Sequence, residues 1–405
     1  MALDFDRMLR FAQELIRIPS PSGAEGAVAA RVVEEMRALG YDDAWTDEVG
    51  NAVGMIRGTG DGPTIMLCCH MDVVDAGDPA AWEHGPYDGV VADGFLHGRG
   101  AMDIKGPLAL QTHAAAAFVN DRLPGDLLVV HTVYEERAGW GIEHFLTTTS
   151  ARPDVVVIGE STHGDLCVGH RGRAEIIVEI RGVAGHASAP ERARNALDPL
   201  PAVLEALAAF AQTLDSDPVL GRSTFVPTGV EAEPASPNVI PDRVRVVVDW
   251  RVLPGLDADA ALAAVRRHLA SVPLAAGLSL DVRYSVVTQM TYTGREMSRR
   301  LFTPAYRLDE SHPVVQRARD AIAQATGQAP VVRPWTFATD GGQACGIHGI
   351  PAIGYAPGEE RFAHTNRERI ALDELREAFE AYPALIRALA GIRQSTLNAQ
   401  RTTLA

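Results

Sequence analysis

Cysteine is scarce in this chain. Four residues among 405 do not make a disulfide framework. Cys68 and Cys69 adjoin inside the apolar run TIMLCC and read as buried thiols of a reducing compartment. No stretch supplies the roughly 18 unbroken apolar residues of a membrane span. The segment MALDFDRMLRFAQELIRI has neither an uninterrupted apolar core nor a cleavage-site pattern. Its Phe5, Met8, Leu9, Ala12, Leu15 and Ile16 recur at helical spacing, so it reads as the first helix of the fold rather than a signal peptide. Positive charge is in deficit: 37 Lys and Arg face 52 Asp and Glu, a net charge of −15. Such a chain repels phosphate backbones, which argues against nucleic acid as a partner. These absences predict a soluble, cytoplasmic protein with no membrane or nucleic-acid partner. The acidic surplus suits either a solvated surface or carboxylates gathered around cations.

What is present is a globular composition without internal repeats, and 405 residues predict two or three domains. Helices alternate with short apolar strands: TIMLCC (64–69), LLVVHTVY (127–134) and VVVI (155–158). Strands apolar on both faces, with helices between them, predict an α/β sheet covered on both sides. Near Gly172 the pattern changes to alternation, as in AEIIVEIR (174–181). Residues 172–288 read as a βαββαβ unit, an inserted α+β domain. Residues 1–171 and 289–405 form the larger, discontinuous domain, and the tail from Gly391 is expected to fray.

Ligands of α/β sheets collect beyond the carboxyl ends of strands. After TIMLCC come His70-Met71-Asp72; after LLVVHTVY come Glu135-Glu136; after VVVI come Gly159-Glu160. A glycine-rich loop, GRGAMDIKG (98–106), holds Asp103, and Ala363-His364-Thr365-Asn366 follows a Pro-Gly turn. Each signal is weak alone. Together they place several negative charges in one cleft, where repulsion requires protonation or cations. Two divalent ions would neutralise them, and imidazole with carboxylate suits zinc. Gly58, Gly60 and Gly62 match GxGxxG only out of register, as GTGDG, and stand before a strand rather than after it; they read as a hairpin turn, not a nucleotide loop. His113, His131 and His268 lie in regular segments and read as structural.

The order HMD, GRGAMDIKG, EE, GES, GHAS, AHTN resembles the dinuclear zinc amidohydrolase and peptidase family of acetylornithine deacetylase, succinyl-diaminopimelate desuccinylase, aminoacylase and the glutamate carboxypeptidases. The resemblance runs from about residue 5 to 390. GHRGRAEI, SAPERARNAL and PWTFATDG look most like a bacterial branch of deacetylase-like hydrolases in that family. It implies a zinc-peptidase-like catalytic domain with a mixed central sheet and an inserted lid and dimerisation domain. It further implies two zinc ions per subunit, with cobalt or manganese as alternatives. His70 and Glu160 would hold one ion, Glu136 and His364 the other, and Asp103 would bridge both. Asp72 would hydrogen-bond the second ring nitrogen of His70, and Glu135 would be the general base. His186, in GHAS, would reach the partner subunit's site in a homodimer. Asn238 and Arg251 match lid residues that hold the substrate, and Gly341 and Gly342 match the pocket loop.

The implied reaction is hydrolysis of an N-acyl amino acid. Glu160 marks the glutamate subtype, which fits deacylases and aminoacylases better than dipeptidases. Within the family, a carboxypeptidase or dipeptidase acting on a short peptide is the alternative; outside enzymes, it is a catalytically silent ligand-binding relative. Ile104 departs from the acidic or amide residue common after the aspartate, at a peptide that is often cis in the family. Without metal, the five ligands should still converge, with carboxylate pKa values raised by mutual repulsion.

Overall fold

The computed structural model describes residues 3–137, 139–392 and 397, so most of the tail beyond Gly391 lies outside the described residues. The first helix, Phe5–Ile16, starts where the Asp4 side chain accepts from the Arg7 amide at 2.9 Å. It buries Phe5, Met8, Phe11, Ala12, Leu15 and Ile16 along one stripe. Each large side chain so buried contributes roughly 1.5–3 kcal/mol.

The chain divides into two units. The first comprises Met1–His170, Gln289–Met297 and Arg307–Ala405. Its centre is an eight-stranded mixed sheet in the order Asp43–Thr46, Ala52–Ile56, Leu127–Thr132, Ile65–His70, Val155–Ile158, Ala352–Gly354, Leu166–Cys167, Val332–Arg333. The four strands from Leu127–Thr132 to Ala352–Gly354 in that order run parallel. Their residues are buried throughout, as continuous apolar runs require of a sheet covered on both faces. Every residue of the helix Lys105–Ala115 is buried as well. Register pairs His70 with Thr132 and Cys68 with Ile158, so three neighbouring strands end at nearly the same level.

One expectation is corrected here. Residues 58–62 are not a hairpin turn. The strands they join, Ala52–Ile56 and Ile65–His70, flank Leu127–Thr132 on opposite sides. The loop crosses the start of that strand, with the Thr59 amide on Leu123 O at 2.9 Å and the Gly60 amide on Pro124 O at 2.9 Å. A Cβ at Gly58 would stand 2.4 Å from the Gly125 carbonyl carbon, so backbone-to-backbone contact explains that glycine.

The second unit comprises Arg171–Thr288 and Ser298–Tyr306. Strands and helices follow one another as Gly172–Arg181, Leu200–Gln212, Thr224–Glu233, Arg243–Val252, Ala258–Leu269, Ser279–Tyr284, with shorter pieces between them. The antiparallel sheet has the order Thr224–Glu233, Arg243–Val252, Gly172–Arg181, Ser279–Tyr284, and Phe302–Thr303 adds to Arg173–Ala174. Both helices pack on one face, where Val203, Leu207, Phe210, Ala261, Val265 and Leu269 meet Ile176, Val178, Val246, Val248 and Trp250. Residues 289–297 group with the first unit instead. There the Tyr292 hydroxyl donates to Gly50 O at 2.8 Å and Thr293 to Glu48 O at 2.8 Å.

Candidate metal centre

Three side chains project from the ends of the parallel strands. His70 is itself the last residue of its strand. Its Nδ1 lies 2.8 Å from the backbone carbonyl of Asp72 and donates to it, so Nε2 is the nitrogen left to face the cleft. That Nε2 faces Asp103 Oδ1 at 3.1 Å and Glu160 Oε1 at 3.3 Å. Across the cleft, His364 Nε2 faces the other Asp103 oxygen at 3.2 Å and Glu136 Oε1 at 3.1 Å. Asp103 thus offers one carboxylate oxygen to each imidazole, and each imidazole has a glutamate of its own. The Asp103–Ile104 peptide is cis with isoleucine in place.

The strand bearing the glutamate pair stops at Thr132, and Tyr134 takes a left-handed φ of 57°. A regular strand would point Glu135 and Glu136 to opposite faces; this turn brings both to the cleft. One ligand atom each from His70, Asp103 and Glu136 lie within 4.8 Å of one another, as do those of His70, Glu135 and Glu160. The expected role of Asp72 is corrected. Its carboxylate stands 3.6 Å from His70 Nδ1, beyond a hydrogen bond, and the backbone carbonyl takes that place. The carboxylate is engaged elsewhere: Oδ2 accepts from Ser22 Oγ at 2.7 Å and the Glu136 amide at 3.2 Å, and Oδ1 from the Glu135 amide at 3.0 Å.

As protein groups alone, these residues strain against their surroundings. Burial, with Asp103 and Glu136 nearby, pushes Glu160 up to about 7 against the pull of His70. Burial and the charges of Glu160, Asp340 and Glu136 push Glu135 well above the usual carboxylate range. Asp103 goes the other way, contrary to expectation. Burial raises it, but hydrogen bonds from His364 and His70 prevail and hold it below that range. Burial opposes protonation of His70, yet its bonds to Asp103 and Glu160 raise it well above an ordinary imidazole. Hydrogen bonds to Asp103 and Glu136 lift His364 to about 10.

This donor set fits a pair of divalent ions. Donors set tetrahedrally around an ion at about 2.0–2.2 Å lie about 3.3–3.6 Å from one another. The separations here are 3.1 to 3.3 Å. Asp103 has an oxygen for each half-site, and His70, anchored through Nδ1, turns Nε2 to one of them.

The model of peptidase family M20/M25/M40 matches residues 66–388. The chain belongs to this family. It is a hydrolase, and it is 32% identical over 382 residues to the uncharacterized protein YgeY of Escherichia coli K12, covering 93% of each chain. It is 31% identical over 395 residues to the succinyl-diaminopimelate desuccinylase of Methylorubrum extorquens, covering 91% of this chain and 94% of that one. Its fold is shared with an M20 metallo-carboxypeptidase of Sulfolobus solfataricus, at a TM-score of 0.75 and 16% identity, covering 96% of this chain and 100% of the other. The aminopeptidase PepT of Bacillus cereus has the same fold at a TM-score of 0.71 and 21% identity, covering 96% and 99%. No described helix is long and apolar enough to cross a membrane.

Other residues of this M20/M25/M40 chain proposed from sequence lie in the second unit. His186 is exposed, with Nδ1 accepting from Ser188 Oγ at 2.7 Å. Asn238 is its neighbour: its carbonyl accepts from the Ala187 amide at 3.0 Å, and Val239 pairs with His186. Arg251 is elsewhere. It sits at the far end of Arg243–Val252, roughly 26 Å along the strand from Arg243, and pairs with Asp249 at 2.9 Å. Asn238 and Arg251 therefore do not share one pocket within this unit. In the first unit, Gly341 and Gly342 are buried and offer little surface to a ligand. The Asp340 beside them accepts from Thr132 Oγ1 at 2.8 Å, behind the glutamate turn.

Several residues that shape the centre escaped the sequence reading. Glu368 is buried and accepts from the amides of Met102 at 3.1 Å and Asp103 at 3.0 Å while paired with Arg99. Lys105, the single lysine of the chain, is fully buried with Nζ on Ile18 O at 2.6 Å. Burial lowers its pKa to about 7. Arg99 and Lys105 stood inside a motif already noted; Glu368 carried no signal, because its role depends on a contact 265 positions away in sequence.

Proposed function

We propose that this hydrolase removes the acyl group from an N-acyl amino acid, using a site that holds two zinc ions through His70, Glu160, Glu136, His364 and a bridging Asp103. The observation that carries this reading is the split of the Asp103 carboxylate between two imidazoles, each beside its own glutamate. When bound, the ion pair would polarise the amide carbonyl and lower the pKa of a water to near neutrality. Glu135, brought to the cleft beside His70 and Glu160, would take a proton from the attacking water and return it to the leaving amine. Resemblance to the desuccinylase supports an acyl amino acid as substrate.

The test is a panel of N-acetyl, N-succinyl and N-formyl amino acids and dipeptides with added zinc, cobalt or manganese, together with metal analysis. We expect about two ions per chain and turnover of an acyl amino acid. Turnover confined to dipeptides would make the chain a peptidase, and less than one ion per chain would remove the metal reading.

His186 would act in the site of a partner subunit in a homodimer, stabilising the oxyanion. The exposed turn that carries it and the edge strands of the second unit's sheet support this arrangement. Mixing inactive His186→Ala and Glu135→Ala proteins under subunit exchange should restore up to about half the wild-type rate per heterodimer. No recovery, with exchange verified, would place His186 outside the partner's site.

A further inference from the structure

In the turn that carries Glu135 and Glu136 the carbonyls of Val133, Tyr134 and Glu135 accept from the amides of Gly139, Trp140 and Gly141, while the amides of the turn itself are held by side chains. Four consecutive amides each donate to a side-chain oxygen. Val133 donates to Asn51 Oδ1 at 2.9 Å and Tyr134 to Glu25 Oε1 at 3.3 Å. Glu135 donates to Asp72 Oδ1 at 3.0 Å and Glu136 to Asp72 Oδ2 at 3.2 Å. The middle of this series is where the backbone departs most from a strand: Tyr134 has φ 57°, a region that L side chains seldom occupy.

Of the three acceptor residues, Asn51 and Asp72 have other partners. Asn51 also ties Asp47 and Gly141, and Asp72 accepts from Ser22. Glu25 meets backbone: hydrogen bonds from the amides of Gly23, of Glu25 itself and of Tyr134 act on its carboxylate. Glu25 is the N-cap residue of the helix Gly26–Ala38, yet it makes no side-chain cap bond to that helix. Its side chain turns to the Tyr134 amide instead. It is fully buried, and among the described residues its Oε2 has no hydrogen-bond partner. A buried carboxyl group with one oxygen unsatisfied is destabilising, and nothing in the helix gains from it. What gains is the turn.

We propose that Glu25 is a positioning residue for the reaction above: by accepting from the Tyr134 amide it keeps that residue left-handed, and so directs both Glu135 and Glu136 into the cleft. The proposal rests on the reading of Glu135 as the general base. Glu25 touches no reacting atom. If the Tyr134 amide is released, the backbone can relax towards an extended conformation, and adjacent side chains then diverge to opposite faces.

Full-length Glu25→Gln, Glu25→Asp and Glu25→Leu variants test this in two ways. Hydrogen exchange of the peptide spanning residues 131–137, measured by mass spectrometry without added metal, reports whether the turn is held. Steady-state kinetics with zinc, on the best substrate of the panel, reports whether the base is aimed. Glutamine keeps a carbonyl oxygen in place of Oε1, aspartate is one methylene too short, and leucine has no acceptor. Glu25→Leu and Glu25→Asp should speed exchange at least about tenfold. They should lower kcat about 100-fold with KM within about threefold, as small misplacements of a catalytic group do. Glu25→Gln should stay within about fivefold of wild type on both measures. If leucine prevents folding, the aspartate and glutamine pair still decides. Glutamine as impaired as aspartate, aspartate with slow exchange and near-normal kcat, or a loss expressed in KM would each overturn the proposal. A wild-type chain that hydrolyses nothing in the panel refutes the proposed function alone, and the exchange rates then still decide whether Glu25 holds the turn.

Discussion

In the first unit, the strands Ile65–His70, Leu127–Thr132 and Val155–Ile158 are buried along their whole length, and the charges gather beyond their carboxyl ends. In the second, the strand Arg243–Val252 buries every other residue, and its charged side chains lie along one half-exposed face. There Arg173 and Arg251 flank Asp249, while Arg245 and Arg283 flank Glu179. A sheet covered on both faces leaves only strand ends for charge, and there few waters compensate it. A sheet with a wet face spreads its ion pairs along that face, where an open pair such as Arg251–Asp249 is screened by solvent and contributes little, while Glu179 is covered by its arginines. The same residue types therefore serve a site in one unit and a surface in the other.

The largest effects should come from the crowded end of that comparison. Glu135→Gln should lower kcat by about 10²–10⁴-fold with metal content near normal. Glu136→Ala should lose metal together with activity. Equal metal loss in the two, read by elemental analysis, would show the pair to be wrongly assigned. The core of the second unit comes next. Trp250 is buried with ring centroids 5.6 Å from Phe210 and 5.4 Å from Phe225. Trp250→Ala should cost about 3–5 kcal/mol, confined to the second unit. Equal loss of hydrogen-exchange protection in Ile65–His70 would show that the two units unfold as one.

A smaller effect separates buried from screened titratable groups. Burial lowers His131 to about 3 and His113 to about 4 from an ordinary value near 6.5, with Glu35 partly offsetting the shift at His113. Both stay neutral in the folded chain while the unfolded chain takes up protons below that ordinary value. Their contribution is thus fully present above about pH 6.5 and is lost as pH falls towards 3 for His131 and 4 for His113, on the order of 5 and 3 kcal/mol respectively. Denaturant melts from pH 7 to 4.5 should show a shallower decline in His131→Gln than in wild type; parallel slopes would contradict this. The smallest effect belongs to the wet face. Arg251→Ala should change stability by less than about 1 kcal/mol and leave KM unaltered. A tenfold rise in KM would return Arg251 to the substrate.

Much of this was legible in the sequence because it is periodic or local. Apolar runs of four to eight residues marked three of the four parallel strands, and alternation in AEIIVEIR marked the second sheet. His70, Glu136 and Glu160 were legible because each stands at or just past the end of such a run. The turn after Thr132 is a necessity of the glutamate pair: two adjacent glutamates facing one cleft require a broken strand, and the left-handed Tyr134 is how this chain breaks it. The glycine-rich segment 58–62 misled because a glycine needed for contact with Gly125 looks the same in sequence as one needed for a turn.

The sequence by itself determined the element types, the strand ends and the residue chemistry gathered there, because burial and backbone periodicity act over a few neighbours. Only the tertiary structure decided which oxygen meets which nitrogen. It gave the His70 proton to the Asp72 carbonyl and turned the Asp72 carboxylate to the glutamate amides. It set Glu368 behind Asp103 and Glu25 behind Tyr134, and it placed Arg251 far along the strand from Asn238. A hydrogen bond is made or lost within a few tenths of an ångström, and contacts between residues a hundred or more positions apart are fixed at that scale by packing, which leaves no periodic trace in the chain.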